Sequence, residues 1–115
     1  MTFKQELRKI TDKARISLSI KEKMDEIKEK MVETAEAGIG SFQIEVVQIY
    51  PDNVYSMPKG NVNYYAFVID ADSCNNDYKD FIIAYLKELG FSTHNIEAAT
   101  LISKSGYCTC INVRW

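Results

Sequence analysis

The stretch of this chain best suited to chemistry is Ala66-Phe67-Val68-Ile69-Asp70-Ala71-Asp72, an apolar run closed by two carboxylates. A strand that ends in aspartates one residue apart is a common way to hold Mg²⁺ or Mn²⁺ against phosphate oxygens. Asp77 follows closely. The segment is not an EF-hand: Cys74 stands where an oxygen ligand belongs, Asn75 replaces the turn glycine, and Phe81 replaces the bidentate glutamate. The Asp-x-Asp of nucleotide-sugar transferases is a poor parallel too, because 115 residues cannot hold such a catalytic domain. The favoured reading is a solvated loop that runs into an aspartate-capped helix. A metal-dependent enzyme built on Asp70 and Asp72 is kept as the less favoured alternative.

Cys108 and Cys110 lie two apart on an expected strand, so their side chains share a face with Asn112 and Arg114. Cys74 and His94 would have to complete any set of four soft ligands. No Cys-x-x-Cys pair and no spaced histidine pair supports such a site. These cysteines are therefore read as small hydrophobes, with no metal and no cofactor expected. His94 is the single histidine, and sequence alone does not bring it to a cysteine. There is no Gly-x-Ser-x-Gly, no phosphate-binding loop and no dinucleotide fingerprint. No catalytic residue is assigned, and the chain is not expected to be an enzyme.

Seven tyrosines are present. Tyr50, Tyr55, Tyr64 and Tyr65 flank a turn-rich segment that holds Lys59 and Asn61. Aromatic faces beside a cation and an adaptable amide suit stacking on a nucleotide-like ligand, or a protein interface. The competing reading is that tyrosine simply favours strands. These six residues are the candidate ligand- or partner-binding set.

The elements that must position these groups are legible from periodicity. Residues 2–36 hold nine Lys/Arg and eight Asp/Glu, without Gly or Pro, and read as helix throughout. Phe3, Leu7, Ile10 and Ala14 form one 4-3-4 stripe, and Ile20, Met24, Ile27 and Met31 form another. At about 100° per residue the second is rotated by about 120° from the first. Thr2 with Gln5 and Ser19 with Glu22 both fit capping boxes. The expectation is helix A over 3–16 and helix B over 20–37, or one long helix whose halves bury against different partners. Gly38 closes it.

Beyond Gly38 the pattern changes. Phe42, Ile44 and Val46 alternate with polar residues as a strand, and the flip at Val46-Val47 predicts a bulge or a strong twist. Val62 to Ile69 reads as a second strand, central because it is apolar on both faces towards its end. Asp77 caps a helix over 78–89 that Gly90 ends. Ile96–Ser103 and Tyr107–Trp115 form a hairpin. The order α-α-β-β-α-β-β predicts an α+β fold, with a mainly antiparallel sheet of about four strands covered by one helix.

One domain is expected over 1–115, helical to residue 40 and sheet plus helix from 41 to 115. The net charge of −2 argues against long nucleic acid as a partner. No apolar run is long enough for a signal peptide or a membrane span. Three cysteines in a chain of this size point to reduced thiols in a cytoplasm. The two differently facing stripes, with basic excess in the first helix and acidic excess in the second, predict a homo-oligomer joined through the N-terminal helices.

In general look the chain resembles small accessory proteins encoded by bacteriophages of low-GC bacteria. The resemblance lies in a charged helical segment ending Ala35-Glu36-Ala37-Gly38, a helix ending Leu89-Gly90-Phe91, and a strand ending Ile111-Asn112-Val113-Arg114-Trp115. It implies a non-enzymatic, oligomeric protein of the host cytoplasm, in several such cases an anti-defence protein that grips a host protein or sequesters a nucleotide. It assigns no residue. The combined expectation is a non-catalytic oligomeric binding protein for a nucleotide-like ligand or a host protein. A structural or assembly protein without ligand is the alternative.

Overall fold

The computed structural model describes residues 2–49, 63–69, 75–103 and 106–115. Its elements are α1 (Phe3–Glu36), β1 (Ser41–Ile49), β2 (Tyr64–Ile69), α2 (Asn75–Glu88), a 3₁₀ turn (Thr93–Asn95), β3 (Ile96–Ser103) and β4 (Gly106–Arg114). The fold is α+β, as expected. The four strands lie in the order β2-β1-β4-β3. β1 pairs antiparallel with β4, and β4 with β3, but β1 and β2 run parallel.

The first correction concerns the N-terminal helices. Residues 3–36 form a single α-helix of 34 residues, the long-helix alternative and not the helix pair over 3–16 and 20–37. Nothing between Thr2 and Glu36 breaks the hydrogen-bond ladder, so the Ser19–Glu22 pair sits inside it and caps nothing. The Thr2–Gln5 box is real: the Gln5 amide N–H donates to Thr2 Oγ1 at 3.3 Å and the Thr2 N–H to Gln5 Oε1 at 2.9 Å. The two stripes meet different fates on one rod. Ile20, Met24, Ile27 and Met31 are buried, while Phe3, Leu7 and Ile10 stay exposed. The molecule is accordingly long, 52 × 33 × 23 Å.

Both long helices end in the same way. Gly38 takes φ +83° and Gly90 φ +102°. Ile39 N–H donates back to the Thr34 carbonyl and Gly38 N–H to that of Ala35; Phe91 and Gly90 do the same to Leu86 and Lys87. This is the Schellman arrangement, and a left-handed residue at its turn is cheap only for glycine. It reverses the chain sharply enough to lay β1 back along the second half of α1.

One face of the sheet carries the core. Phe42, Ile44 and Val46 of β1, Phe67 and Ile69 of β2, and Ile111 and Val113 of β4 cluster with the buried row of α1 and with Ile82 and Leu86 of α2. Three further expectations are corrected. The pairing runs unbroken through Val46 and Val47 with no bulge. Both valines are buried because Val46 enters the core and Val47 lies on the opposite face, between Val68 and Cys108 in the register. β2 is an edge strand, not a central one; its apolar Val68 is 45% exposed on the face away from the helices. α2 begins at Asn75, so Asp77 lies in its first turn. There its negative charge still complements the positive helix end. Among the described residues no helix is long and apolar enough to cross a membrane.

Candidate functional site: a thiol–carboxylate cluster on the sheet face opposite the helices

Strand alternation sends Gln43, Glu45 and Val47 to the face opposite the helices. The β1–β4 register sets Glu45 against Cys110 and Val47 against Cys108, and the β1–β2 register sets Gln43 against Tyr64. Five chemically capable side chains therefore meet on one face. The Glu45 carboxylate is their centre and is 9% exposed. Its Oε1 accepts from Gln43 Nε2 at 2.8 Å and from Cys110 Sγ at 3.7 Å. Its Oε2 accepts a short hydrogen bond from the Tyr64 hydroxyl. Cys108 Sγ lies 3.8 Å from Cys110 Sγ. The donor atoms of Glu45, Cys108 and Cys110 all lie within 4.8 Å of one another, a grouping able to hold a metal ion.

Burial pushes the Cys108 thiol up to about 12, aided by the neighbouring Glu45 charge and by Cys110. Cys110 is raised as well, first by burial and then by Glu45, although the hydrogen bond with Cys108 works in the other direction. Both thiols are therefore protonated near neutrality and are poor nucleophiles. A rise from 9.0 to about 12 cuts the thiolate fraction about a thousandfold. The greater basicity of the remaining thiolate returns part of this through a Brønsted slope of about 0.4–0.5. Cys108 should alkylate about 30-fold more slowly in the native protein than in the unfolded chain at pH 8, read peptide by peptide after a pulse of iodoacetamide. Equal rates in the two states would show that the thiol is not held protonated.

Of the candidate binding residues the structure describes two, Tyr64 and Tyr65, and it places them on opposite faces of the sheet. Tyr64 belongs to the thiol–carboxylate face. Tyr65, its neighbour, points to the helix side, where its hydroxyl donates to Glu26 Oε2 at 3.0 Å and Lys30 Nζ lies 5.8 Å from its ring centroid. Burial, followed by the hydrogen bond to Glu26 and its charge, pushes Tyr65 up to about 12, so it remains a donor. Tyr50, Tyr55, Lys59 and Asn61 lie outside the described residues, as do Asp70, Asp72 and Cys74. His94 is exposed in the 3₁₀ turn and is not part of the three-residue grouping.

Glu45 is the residue that sequence reasoning missed. Alternation marks it only as a polar residue of a half-covered strand. Its partnership with Cys110 spans 65 positions and exists only once the β1–β4 register is known. No protein-family model matches the chain, and neither a curated protein nor a solved structure is significantly similar to it. The fold and this cluster thus define the protein physically: a mixed-sheet α+β domain with helices packed on one sheet face and a thiol–carboxylate cluster on the other.

Proposed function

We propose that this chain is a non-catalytic binding protein that works as a homo-oligomer, joined through the first half of α1. The observation that carries the reading is the apolar row left in solvent there: Phe3 is 74%, Leu7 48%, Ile10 65% and Leu18 61% exposed. At about 100° per residue these four and Ala14 fall within an arc of about 80°. A row of that kind is normally covered.

A second copy fits it in antiparallel register. With the helices crossing near Ile10, Phe3 of each faces Leu18 of the other and Leu7 faces Ala14. Glu6 and Lys13 lie on the same flank of the row, so each Glu6 meets Lys13 of the second copy, twice in the dimer. Such flanking pairs select partner and direction. The seam spans 16 residues, about 24 Å, which is small beside a standard interface of about 1,600 Å². The dimer should therefore dissociate on dilution.

Binding of a nucleotide-like ligand or of a host protein is assigned to Tyr50, Tyr55, Lys59, Asn61 and Tyr64; the sixth candidate, Tyr65, is left out because its hydroxyl is engaged by Glu26 on the helix side. Its support is the aromatic and cationic composition of that segment, and the phage-accessory, anti-defence reading rests on the sequence resemblance.

Sedimentation equilibrium across a dilution series, with native mass spectra of gently purified protein, tests both parts. Leu7→Glu with Ile10→Glu should weaken self-association at least tenfold while leaving the secondary structure unchanged. A monomeric wild type, or a variant that associates equally well, would remove the oligomer. Co-purified mass in the nucleotide range, lost in Tyr55→Ala with Lys59→Ala, is the expected ligand signature. Ligand retained by that double variant would remove the site assignment.

A further inference from the structure

We infer that Glu45, Cys108 and Cys110 form a binding site for a thiophilic divalent cation of the Zn²⁺ class, held on the sheet face opposite the helices. The first ground is spacing. In a tetrahedral zinc site the Zn–S bond is about 2.3 Å and the Zn–O bond about 2.0–2.2 Å, which puts S···S edges near 3.8 Å and S···O edges near 3.6 Å. The Cys108–Cys110 sulfurs are 3.8 Å apart and Cys110 Sγ is 3.7 Å from Glu45 Oε1. Two edges of one tetrahedral face are therefore already near their liganded length.

The second ground is the rigidity and chemistry of the donor set. All three residues sit on β1 and β4, which are paired along nine positions at the middle of the sheet. The carboxylate is oriented by two further side chains: Gln43 donates to the same Oε1 and Tyr64 to Oε2. Hydrogen bonds of that kind hold a ligating carboxylate in place. Two thiolates with one carboxylate suit a borderline-soft ion such as Zn²⁺ over Mg²⁺ or Ca²⁺. On binding, each thiol releases its proton to solvent, and the cation takes the place of the Cys110 S–H at Glu45 Oε1. Three ligands leave a fourth tetrahedral position, to be filled by water or by a donor from a bound molecule.

Co²⁺ provides the test, because thiolate ligation gives it a near-ultraviolet charge-transfer band and tetrahedral geometry gives it intense visible bands. The reduced full-length protein should take up one Co²⁺ per chain with both features, and Zn²⁺ should displace it. Cys108→Ser and Cys110→Ser should each abolish the charge-transfer band, Cys74→Ser should retain it, and Glu45→Gln should weaken binding at least tenfold. Circular dichroism of the metal-free variants confirms that each is folded. Absence of the band at millimolar Co²⁺, a band that survives Cys108→Ser, or an affinity unchanged in Glu45→Gln would overturn the site.

Discussion

Replacing Ile27 by alanine is expected to destabilise the protein by about 2–5 kcal/mol, whereas the same change at Ile10, on the same helix, should move the stability of the monomer by no more than about 0.5 kcal/mol. Ile27 is fully buried and Ile10 is 65% exposed. Ile27 lies in the core cluster that joins α1 to β1, β2, β4 and α2. Its truncation forfeits the transfer energy of the lost carbons and leaves a cavity among neighbours fixed by sheet pairing. At Ile10 the truncated atoms are already in water, and alanine is the better helix former. Urea unfolding below the concentration at which self-association begins measures both. Similar losses at the two positions would mean that the first half of α1 is part of the folding core, contrary to the burial seen here.

Phe67→Ala should cost about 3–5 kcal/mol, although Phe67 lies on an edge strand. The ring is 1% exposed. It meets Tyr65 edge to face, with centroids 5.2 Å apart, and Tyr78 at 6.4 Å. Lys23 Nζ lies 5.3 Å from its centroid. Phe67 thus ties β2 to α1 and α2 at once, and among the described residues β2 has only one neighbouring strand to hold it. Phe67→Leu keeps most of the apolar volume and should cost less than half as much. A loss below about 1 kcal/mol for the alanine variant, measured by urea or thermal unfolding, would show that β2 is dispensable to the fold.

Local rules carried the reading of the sequence a long way. The Thr2–Gln5 box, the glycine stops at 38 and 90 and the C-terminal hairpin all depend on residues close in sequence, and all are present. What escaped depends on distant pairing. The two rows on α1 look like two helices because a rotation of the apolar face usually signals a break. Here the break is in what each half packs against, not in the backbone. Val68 made β2 look central because an exposed valine and a buried one are the same letter. The site was less legible than the fold. Cys108 and Cys110 were visible as a pair on one face, but the carboxylate that gives them a role comes from β1, and no spacing rule links positions 45 and 110.

The strand order has a consequence for how the chain reaches this state. β4, which follows every other strand in the chain, lies between β1 and β3. As the polypeptide is synthesised, β1 emerges early, yet its antiparallel partner is residues 106–114. Until those residues leave the ribosome, β1 can hold only β2, β3 has no neighbour, and the apolar row from Ile20 to Met31 has no complete sheet to cover. Pairings that span so many residues form late, because the entropy of closing the loop must be met before the contact returns anything. The nascent chain therefore carries an unpaired strand edge and a bare apolar face together, the combination that holdase chaperones recognise. Folding of this domain is best regarded as a single event that follows translation of β4, with the thiol–carboxylate cluster among the last features assembled.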